Sequence, residues 1–147
     1  MSKYKRKLSD ADKINDFRGL IHRYSTLYAD KVAFEYKKTP DAKEHIKITY
    51  GQFVKDIKAL ATSLLGLGLS KKRVALIAPN RYEWCVSYLA ITSSDMVVVP
   101  LDKSLPNNEI EDLIMRSKVE AVIFAAKYAE VFSKIATEGK SHLTSFI

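Results

Sequence analysis

Three side chains are placed by the sequence pattern where a ligand could meet them. Tyr82 and Trp84 follow an apolar run that ends at Ala78, and Asp102 follows a second apolar run. Ligands of open α/β sheets bind outside the carboxyl ends of the strands, so Asp102 could face a nucleotide and the two rings could line its pocket. Aromatic residues at helical spacing are more often core, and Asp after a strand commonly bonds its own backbone. We therefore assign none of the three a catalytic or cofactor-binding role.

Metal ligands and nucleophiles are sparse. His22, His45 and His142 fall in separate predicted elements, and no pair of His or Cys residues has the spacing of a metal site. Cys85 is the only cysteine, so it cannot form an internal disulfide, and its place on a predicted helix favours a buried small hydrophobe. A nucleophilic thiol would need a neighbouring base, and none is evident. The sequence predicts no metal site and no catalytic residue.

One short segment is rich in glycine. The run from Gly66 to Lys71, GLGLSK, lacks the spacing of a phosphate-binding P-loop and does not follow a predicted strand. The pattern instead predicts a helix that ends on Gly66 or Gly68 in the left-handed conformation.

The elements that hold these side chains form a strand, a helix and a strand. Arg73 to Ala78 is nearly all apolar, which is typical of a parallel strand covered on both faces. Asn80 is the predicted helix cap, with Glu83 completing a capping box. Met96 to Val99 forms the next buried strand, and Asp95 before it is expected in the left-handed conformation, which Asp tolerates better than most residues.

The segments before this unit predict two helices and a hairpin. Ser9 or Asp10 can begin a helix, and Val32 to Tyr36 alternates as a half-exposed strand that pairs with His45 to Ile48. Thr49 then caps a second helix, with Gln52 as its capping-box partner. The apolar positions of the first helix are Phe17, Leu20, Ile21, Tyr24, Leu27 and Tyr28.

The alternation of strands and helices continues to the end of the chain. Ser104 or Asn107 can cap a helix, Val119 to Phe124 is a short apolar strand, and a last helix ended by Gly139 precedes a strand that begins at Leu143. This order indicates an α/β fold with an open, mostly parallel, doubly wound sheet flanked by helices, and a small β-hairpin near the N-terminus.

Length and charge divide the chain into a tail and one domain. Its 147 residues are 47% hydrophobic, enough for one core, and the net charge is +7. Four of these excess positive charges lie in residues 1–8, which we interpret as a basic flexible tail, while residues 9–147 form one α/β subdomain. The tail could touch nucleic acid or an anionic membrane, but no aromatic and basic stripe continues it. We predict a solvated terminus and no specific nucleic acid partner.

Location is predicted from what the sequence lacks. There is no apolar signal-peptide core near the N-terminus, and no stretch of about eighteen apolar residues could span a bilayer. These absences predict a cytoplasmic protein, with peripheral contact to a membrane left open.

Several of these segments carry a family resemblance. The sequence RVALIAPNRYEW from Arg73, the sequence VVVPLD from Val97, the pair Leu105 and Pro106, and more weakly ITYGQF from Ile48 are similar to the N-terminal region of adenylate-forming acyl-CoA synthetases. The likeness is strongest to long-chain fatty-acid CoA ligases and runs from about Tyr24 to the C-terminus. Enzymes of this family have about five hundred residues, so the chain resembles their first quarter.

The resemblance implies an activity for the complete enzyme, but this chain lacks the motifs on which that activity depends. The complete enzyme would use ATP, magnesium and CoA to activate a fatty acid as an acyl-adenylate and transfer it to CoA. The Ser-, Thr- and Gly-rich phosphate loop of the family is absent here, as are its adenine-binding, magnesium-binding and hinge motifs. We therefore expect an inactive scaffold that holds no cofactor alone. Ser94 with Asp95, and Lys71 with Lys72, replace turn residues usual in the family.

Two alternatives remain open at this point. The chain could be a non-catalytic α/β binding or interaction module, or a fragment of an aryl- or amino-acid-adenylating relative that shares these early motifs. Phe146 and Ile147 end the sequence on apolar residues, which favours a truncated ligase over a complete module. That hypothesis predicts exposed apolar surface, self-association or a missing partner half.

Overall fold

The computed structural model describes residues 13–147, so the predicted tail and the helix start at Ser9 or Asp10 lie outside the described residues. The first helix there begins only at Phe17, because Asp16 caps it by accepting the Gly19 N–H at 2.7 Å. The elements in chain order are α1 (Phe17–Leu27), β1 (Val32–Lys37), β2 (His45–Thr49), α2 (Tyr50–Gly66), β3 (Arg73–Ile77), α3 (Tyr82–Thr92), β4 (Val97–Pro100), α4 (Asn107–Ser117), β5 (Ala121–Phe124), α5 (Ala129–Glu138) and β6 (Ser145–Phe146).

Four parallel strands form the central sheet in the order β4-β3-β5-β6. Val74 of β3 pairs with Val98 of β4 on one side and with Ala121 of β5 on the other. The chain passes from β3 through α3 to β4, then through α4 back across β3 to β5. The strands β1 and β2 form the predicted antiparallel hairpin as a separate two-stranded sheet.

Helices cover both faces of the central sheet. On one face, Val74 and Ala121 pack with Leu64 of α2 and Ile91 of α3. On the other face, the alternate strand residues pack against α4 and α5, in a core that comprises Ala75, Ile77, Val122, Ile110, Ile114, Phe132 and Ile135. Strand residues point alternately to opposite faces, so the all-apolar runs are explained by burial on both sides. The predicted α/β fold with a parallel, doubly wound sheet is confirmed.

A third core joins α1, α2, α3 and the hairpin. Ile21, Phe53, Ile57 and Ala90 are among its buried members, and Phe34 of β1 packs against it. The hairpin is thus fixed to the helical layer rather than to the central sheet. This placement brings β1 beside the beginning of α3.

Two of the predicted helix caps are wrong. Helix α3 begins at Tyr82 with Arg81 as its N-cap, so Asn80 lies one residue too early to cap it and Glu83 pairs with the Arg81 side chain. Helix α4 has Pro106 as its N-cap, and neither Ser104 nor Asn107 bonds its first turn through the side chain. Asn and Ser also stabilise turns, so their positions in the sequence do not by themselves fix where a helix starts.

Other local predictions are confirmed. Thr49 caps α2 by accepting the Gln52 N–H at 3.2 Å, although the Gln52 side chain contacts Asp56 instead of completing a capping box. Gly68 and Gly139 have positive φ angles of 77° and 62°, as expected after a helix. Asp95 also lies in the left-handed region, at φ 59°.

Candidate functional site

The strand order reverses between β3 and β5, and a cavity opens at the carboxyl ends of these two strands. Its volume is about 220 Å³. Ala78, Arg81, Trp84, Ser87, Phe124 and Ala125 are among the residues that line it. In open α/β sheets such a topological switch point is where ligands bind. We refer to this cavity as the switch-point cleft.

A larger cavity adjoins the switch-point cleft on the side of the hairpin. Its volume is about 880 Å³, and it lies between β1 and the start of α3. Arg81, Glu83 and Trp84 line both cavities, so the two are continuous around the first turn of α3. The hairpin contributes exposed Lys37 and Lys38 to the larger cavity. Together the two cavities form a partly aromatic, partly basic opening.

The electrostatics of the opening are set by one ion pair. The Arg81 guanidinium makes two contacts with the Glu83 carboxylate, Nε to Oε2 at 2.7 Å and Nη2 to Oε1 at 3.0 Å. This bidentate pairing neutralises the Arg81 charge, which leaves Lys37 and Lys38 as the cations of the hairpin side. Trp84 stacks on Tyr88 with ring centroids 5.2 Å apart. The opening can hold a flat or anionic group, but it contains no evident nucleophile activated by a base.

Tyr82 is held in the core rather than presented to the cleft. Its ring packs edge-on against Phe34 at 5.1 Å between centroids and lies 5.7 Å from that of Phe53. Its hydroxyl donates to Asp56 Oδ2 at 2.7 Å. Burial, and then this hydrogen bond, raise the pKa of the Tyr82 phenol well above its ordinary value. One edge of Tyr82 lines the larger cavity, but its contacts favour the structural interpretation.

Asp102 lies in an exposed turn after β4. Its Oδ1 accepts the Ser104 backbone N–H at 2.8 Å, as expected for an Asp that bonds its own backbone. Hydrogen bonds from Ser104 hold the pKa of the Asp102 carboxyl below its usual range. Asp102 does not line the switch-point cleft or the larger cavity, so the structure keeps it apart from Tyr82 and Trp84.

The histidines and the cysteine occupy separate places. His22 lies on α1, His45 Nδ1 is 2.9 Å from Glu35 Oε1 within the hairpin, and His142 precedes β6. Among residues 13–147, no three His, Cys, Asp or Glu side chains are grouped so as to hold a metal ion. Cys85 is half-buried against the third core, less buried than predicted, and desolvation raises the pKa of its thiol.

A family model described as AMP-binding enzyme matches residues 21–145. The chain belongs to this family. The match includes β3, β4 and β5 of the central sheet and both cavities, and it confirms the predicted resemblance to adenylate-forming acyl-CoA synthetases.

Curated relatives align with a little over half of the chain. The mitochondrial medium-chain acyl-CoA ligase ACSF2 of Macaca fascicularis is 26% identical over 89 residues, which are 60% of this chain and 14% of that protein. The 4-hydroxyphenylalkanoate adenylyltransferase of Mycobacterium marinum is 31% identical over 85 residues, which are 56% of this chain and 14% of that protein. The aligned part therefore spans about one seventh of the length of these relatives.

A solved structure shares the fold of this chain. The long-chain-fatty-acid-CoA ligase FadD1 of Archaeoglobus fulgidus superposes with a TM-score of 0.79 at 15% identity. The superposition covers 99% of this chain and 29% of that one. At this identity the likeness concerns the fold, and it matches the N-terminal α/β domain of adenylate-forming ligases.

Sequence analysis missed three residues that line the opening: Arg81 at the start of α3, and Lys37 and Lys38 on the hairpin. Arg81 could have been noted, because it follows directly after the end of an apolar strand. Lys37 and Lys38 could not, because only the packing of the hairpin against α2 and α3 brings them near α3. None of the helices in the described part of this AMP-binding family member is long and apolar enough to cross a membrane.

The contacts of Tyr82 predict an alkaline titration. Because its pKa is raised in the folded chain, the neutral phenol stabilises the fold fully below the ordinary tyrosine pKa of about 10 and less as pH rises through the folded value. Ultraviolet absorbance of tyrosinate should show that Tyr82→Phe removes a phenol ionising well above pH 10. The matched variant Tyr28→Phe removes the hydroxyl of a tyrosine at the end of α1, outside the groups that raise the Tyr82 pKa, and should leave that last part of the titration in place. Loss of a phenol that ionises near pH 10 in Tyr82→Phe would contradict the assigned contacts.

Proposed function

We propose that this chain is the N-terminal portion of an ATP-dependent, AMP-forming ligase that joins a long-chain fatty acid to CoA. The observation that carries the proposal is the family match across residues 21–145, which includes β3, β4 and β5 of the central sheet. The motifs from Arg73 to Pro106 support an acyl-CoA ligase among the members of the family. As a unit of the complete enzyme, residues 9–147 would form one subdomain of its larger N-terminal domain.

The reaction of the complete enzyme would have two steps. The fatty acid carboxylate would attack the α-phosphate of ATP to give an acyl-adenylate and pyrophosphate, and the CoA thiol would then displace AMP. Charge that develops on the phosphates must be neutralised by positioned donors, cations or magnesium. ATP, magnesium and CoA are thus cofactors and substrates of the complete enzyme, and no step of the reaction is assigned to a residue of this chain.

The residues present do not fit an independent site for ATP and magnesium. No Gly-rich phosphate loop occurs anywhere in the 147 residues. The one arginine at the switch-point cleft is already paired with Glu83. No metal-binding cluster lies among residues 13–147. These observations support the role of a scaffold whose sheet carries groups supplied by later sequence.

Exposed apolar side chains on the outer strands of the sheet support the proposal that this chain contacts another surface. Val97 on β4 is 53% exposed, and Phe146 and Ile147 at β6 are each 39% exposed. Apolar side chains at sheet edges favour association with another surface. We propose that the remainder of the ligase covers them in the complete enzyme, and that the isolated chain self-associates through them.

The acyl group and the location belong to the same proposal. Curated relatives carry names with different acids, a medium-chain acyl group in one and a 4-hydroxyphenylalkanoate in another. The fold likeness to a long-chain-fatty-acid-CoA ligase and the early motifs lead us to propose a long-chain fatty acid. For location we propose the cytoplasm, on the composition of the sequence.

The proposal predicts that the isolated chain releases no pyrophosphate above background when given ATP, magnesium and a long-chain fatty acid. The missing phosphate loop is the reason. A coupled pyrophosphate assay on chain shown by circular dichroism to be folded measures this, with a complete acyl-CoA ligase as positive control. Fatty-acid-dependent pyrophosphate release by the chain alone would overturn the scaffold role.

Calorimetric titration with ATP-magnesium, AMP, CoA and an acyl-adenylate analogue completes the test. The scaffold role predicts no saturable heat from any of them. Saturable binding of a nucleotide that is lost in Trp84→Ala would show instead that the switch-point cleft is part of a ligand site, while leaving the family membership unchanged.

A further inference from the structure

A second groove lies on the other side of the helical layer, away from the switch-point cleft. It runs between α1, α2 and the turn from Ser93 to Asp95, and its volume is about 660 Å³. Ligand pockets in proteins commonly have volumes of about 300–1,000 Å³. We call it the α1–α2 groove. It shares no lining residue with the two cavities around α3.

The floor of the α1–α2 groove is aliphatic. Ile21, Ile57 and Ala61 line it and are almost completely buried, with 5%, 1% and 8% of their surfaces exposed. Leu65 continues this apolar surface outward along α2 and is 43% exposed. No Phe, Tyr or Trp lines the groove, so its floor offers no large aromatic ring. An alkyl chain is the apolar group that fits such a floor.

The rim of the α1–α2 groove is cationic. Arg18 and His22 stand on α1, and Lys58 stands on α2, all three with exposed side chains. Arg18 Nε donates to the Ser93 carbonyl at 2.7 Å, which fixes the guanidinium at the rim. The Lys58 ammonium makes no hydrogen bond or ion pair within the residues that the structure describes.

The lining of the groove also contains one acidic residue. The Asp95 carboxylate also lines the groove, and it accepts the Ser70 hydroxyl at 3.2 Å. By formal charge, Arg18 and Lys58 outnumber Asp95 in the lining, which is therefore net positive. A ligand with an anionic head therefore matches the rim, and its apolar tail matches the floor.

We propose that the α1–α2 groove binds an anionic single-chain amphiphile, with its carboxylate or phosphate head at Arg18 and Lys58 and its alkyl chain over Ile21, Ile57 and Ala61. The inference goes beyond the proposed ligase reaction and does not depend on it. A single alkyl chain with an anionic head occurs in a free fatty acid and in an anionic lysophospholipid held in a membrane. The experiment must therefore separate these two sources.

Binding to the full chain is measured by calorimetry with decanoate below the concentration at which it forms micelles. Removal of one head contact, in Lys58→Gln or Arg18→Gln, should weaken binding by about tenfold or more, as expected for a charge-assisted hydrogen bond. Lys55→Gln is the matched control, because Lys55 is an exposed lysine one turn earlier on α2 that does not line the groove. Decyltrimethylammonium, with the same chain and a positive head, should bind at least about tenfold more weakly than decanoate.

Two further arms identify the source of the ligand and guard against misfolding. Co-sedimentation with vesicles of phosphatidylcholine, with and without the single-chain lipid lysophosphatidylglycerol, tests the membrane lipid. Vesicle binding that requires lysophosphatidylglycerol and is lost in Lys58→Gln, without binding of decanoate, supports the proposal with the membrane as source. Arg18→Gln removes the bond to Ser93, so its melting temperature is checked by circular dichroism. If Arg18→Gln unfolds, the test depends on Lys58→Gln alone.

Three results would overturn the proposal. One is the absence of saturable binding to both decanoate and the anionic vesicles. Another is binding that Lys58→Gln leaves unchanged or that Lys55→Gln weakens equally. The third is equal affinity for decanoate and decyltrimethylammonium, which would show apolar adsorption without recognition of the head. Because each readout is binding, failure here leaves the proposed ligase function untouched, and failure of the pyrophosphate prediction leaves the groove untouched.

Discussion

Phe132→Ala is expected to lower the free energy of unfolding by about 3–5 kcal/mol, the range for removal of a fully buried aromatic side chain. Phe132 has no exposed surface and lies at the centre of the core between the sheet and the helices α4 and α5. Its ring centroid is 4.7 Å from that of Phe124, which also lines the switch-point cleft. The change therefore leaves a cavity behind one wall of the cleft. Urea unfolding followed by circular dichroism measures the loss.

The control for this prediction is a phenylalanine at the edge of the sheet. Phe146 is 39% exposed on β6, so Phe146→Ala removes less buried surface than Phe132→Ala and should cost about 1–2 kcal/mol. Equal losses for the two variants would contradict the assignment of Phe132 to a packed core. An unfolding free energy of Phe132→Ala within about 1 kcal/mol of the unchanged chain would do the same.

The sequence predicts correctly those parts of the fold in which burial requires a recognisable pattern of apolar residues. Val74 to Ile77 and Ala121 to Phe124 are continuous apolar runs because helices cover both faces of the sheet. Gly139 follows its helix in the left-handed conformation that glycine adopts without strain. In such segments local preference and tertiary burial agree, so strands and helices can be assigned within a few residues.

The helix starts are less predictable because several side chains compete for the same turn. Asn80 has the residue type of a cap, but the chain enters α3 one residue later, where Arg81 is extended and its side chain pairs with Glu83. Arg81, the observed partner of Glu83, lies only two residues before it. The same short sequence is therefore compatible with an ion pair or with a capping box. Only the backbone conformation distinguishes them.

The cavities could not be predicted because they depend on distant packing. The larger cavity needs β1 to lie beside α3, and the α1–α2 groove needs Arg18 to reach Ser93, which is 75 residues away in the chain. Neither arrangement has a periodic pattern in the sequence. The candidate residues named from sequence were those next to strand ends, and of these Trp84 lines the cleft while Asp102 does not.

The beginning of α3, which lines both cavities, is joined to α2 through Asp56. Its Oδ2 accepts the Tyr82 hydroxyl at 2.7 Å, and its Oδ1 accepts the Gln52 side-chain amide at 2.7 Å. Asp56→Ala removes both bonds and leaves the part-buried Tyr82 hydroxyl without its acceptor. We expect a loss of about 1–3 kcal/mol in the free energy of unfolding, since hydrogen bonds to charged groups contribute more than neutral ones.

A double-mutant cycle separates this bond from the other contacts of the two residues. Tyr82→Phe keeps the ring against Phe34 and removes only the hydroxyl. The sum of the two single losses in unfolding free energy should therefore exceed the loss of the double variant by about 1 kcal/mol or more. Asp56→Asn retains an acceptor and should recover part of the stability. Additive losses would mean that the hydroxyl and the carboxylate do not interact. In that case the first turn of α3 would be held by ring packing alone, and the geometry shared by the two cavities would not depend on Asp56.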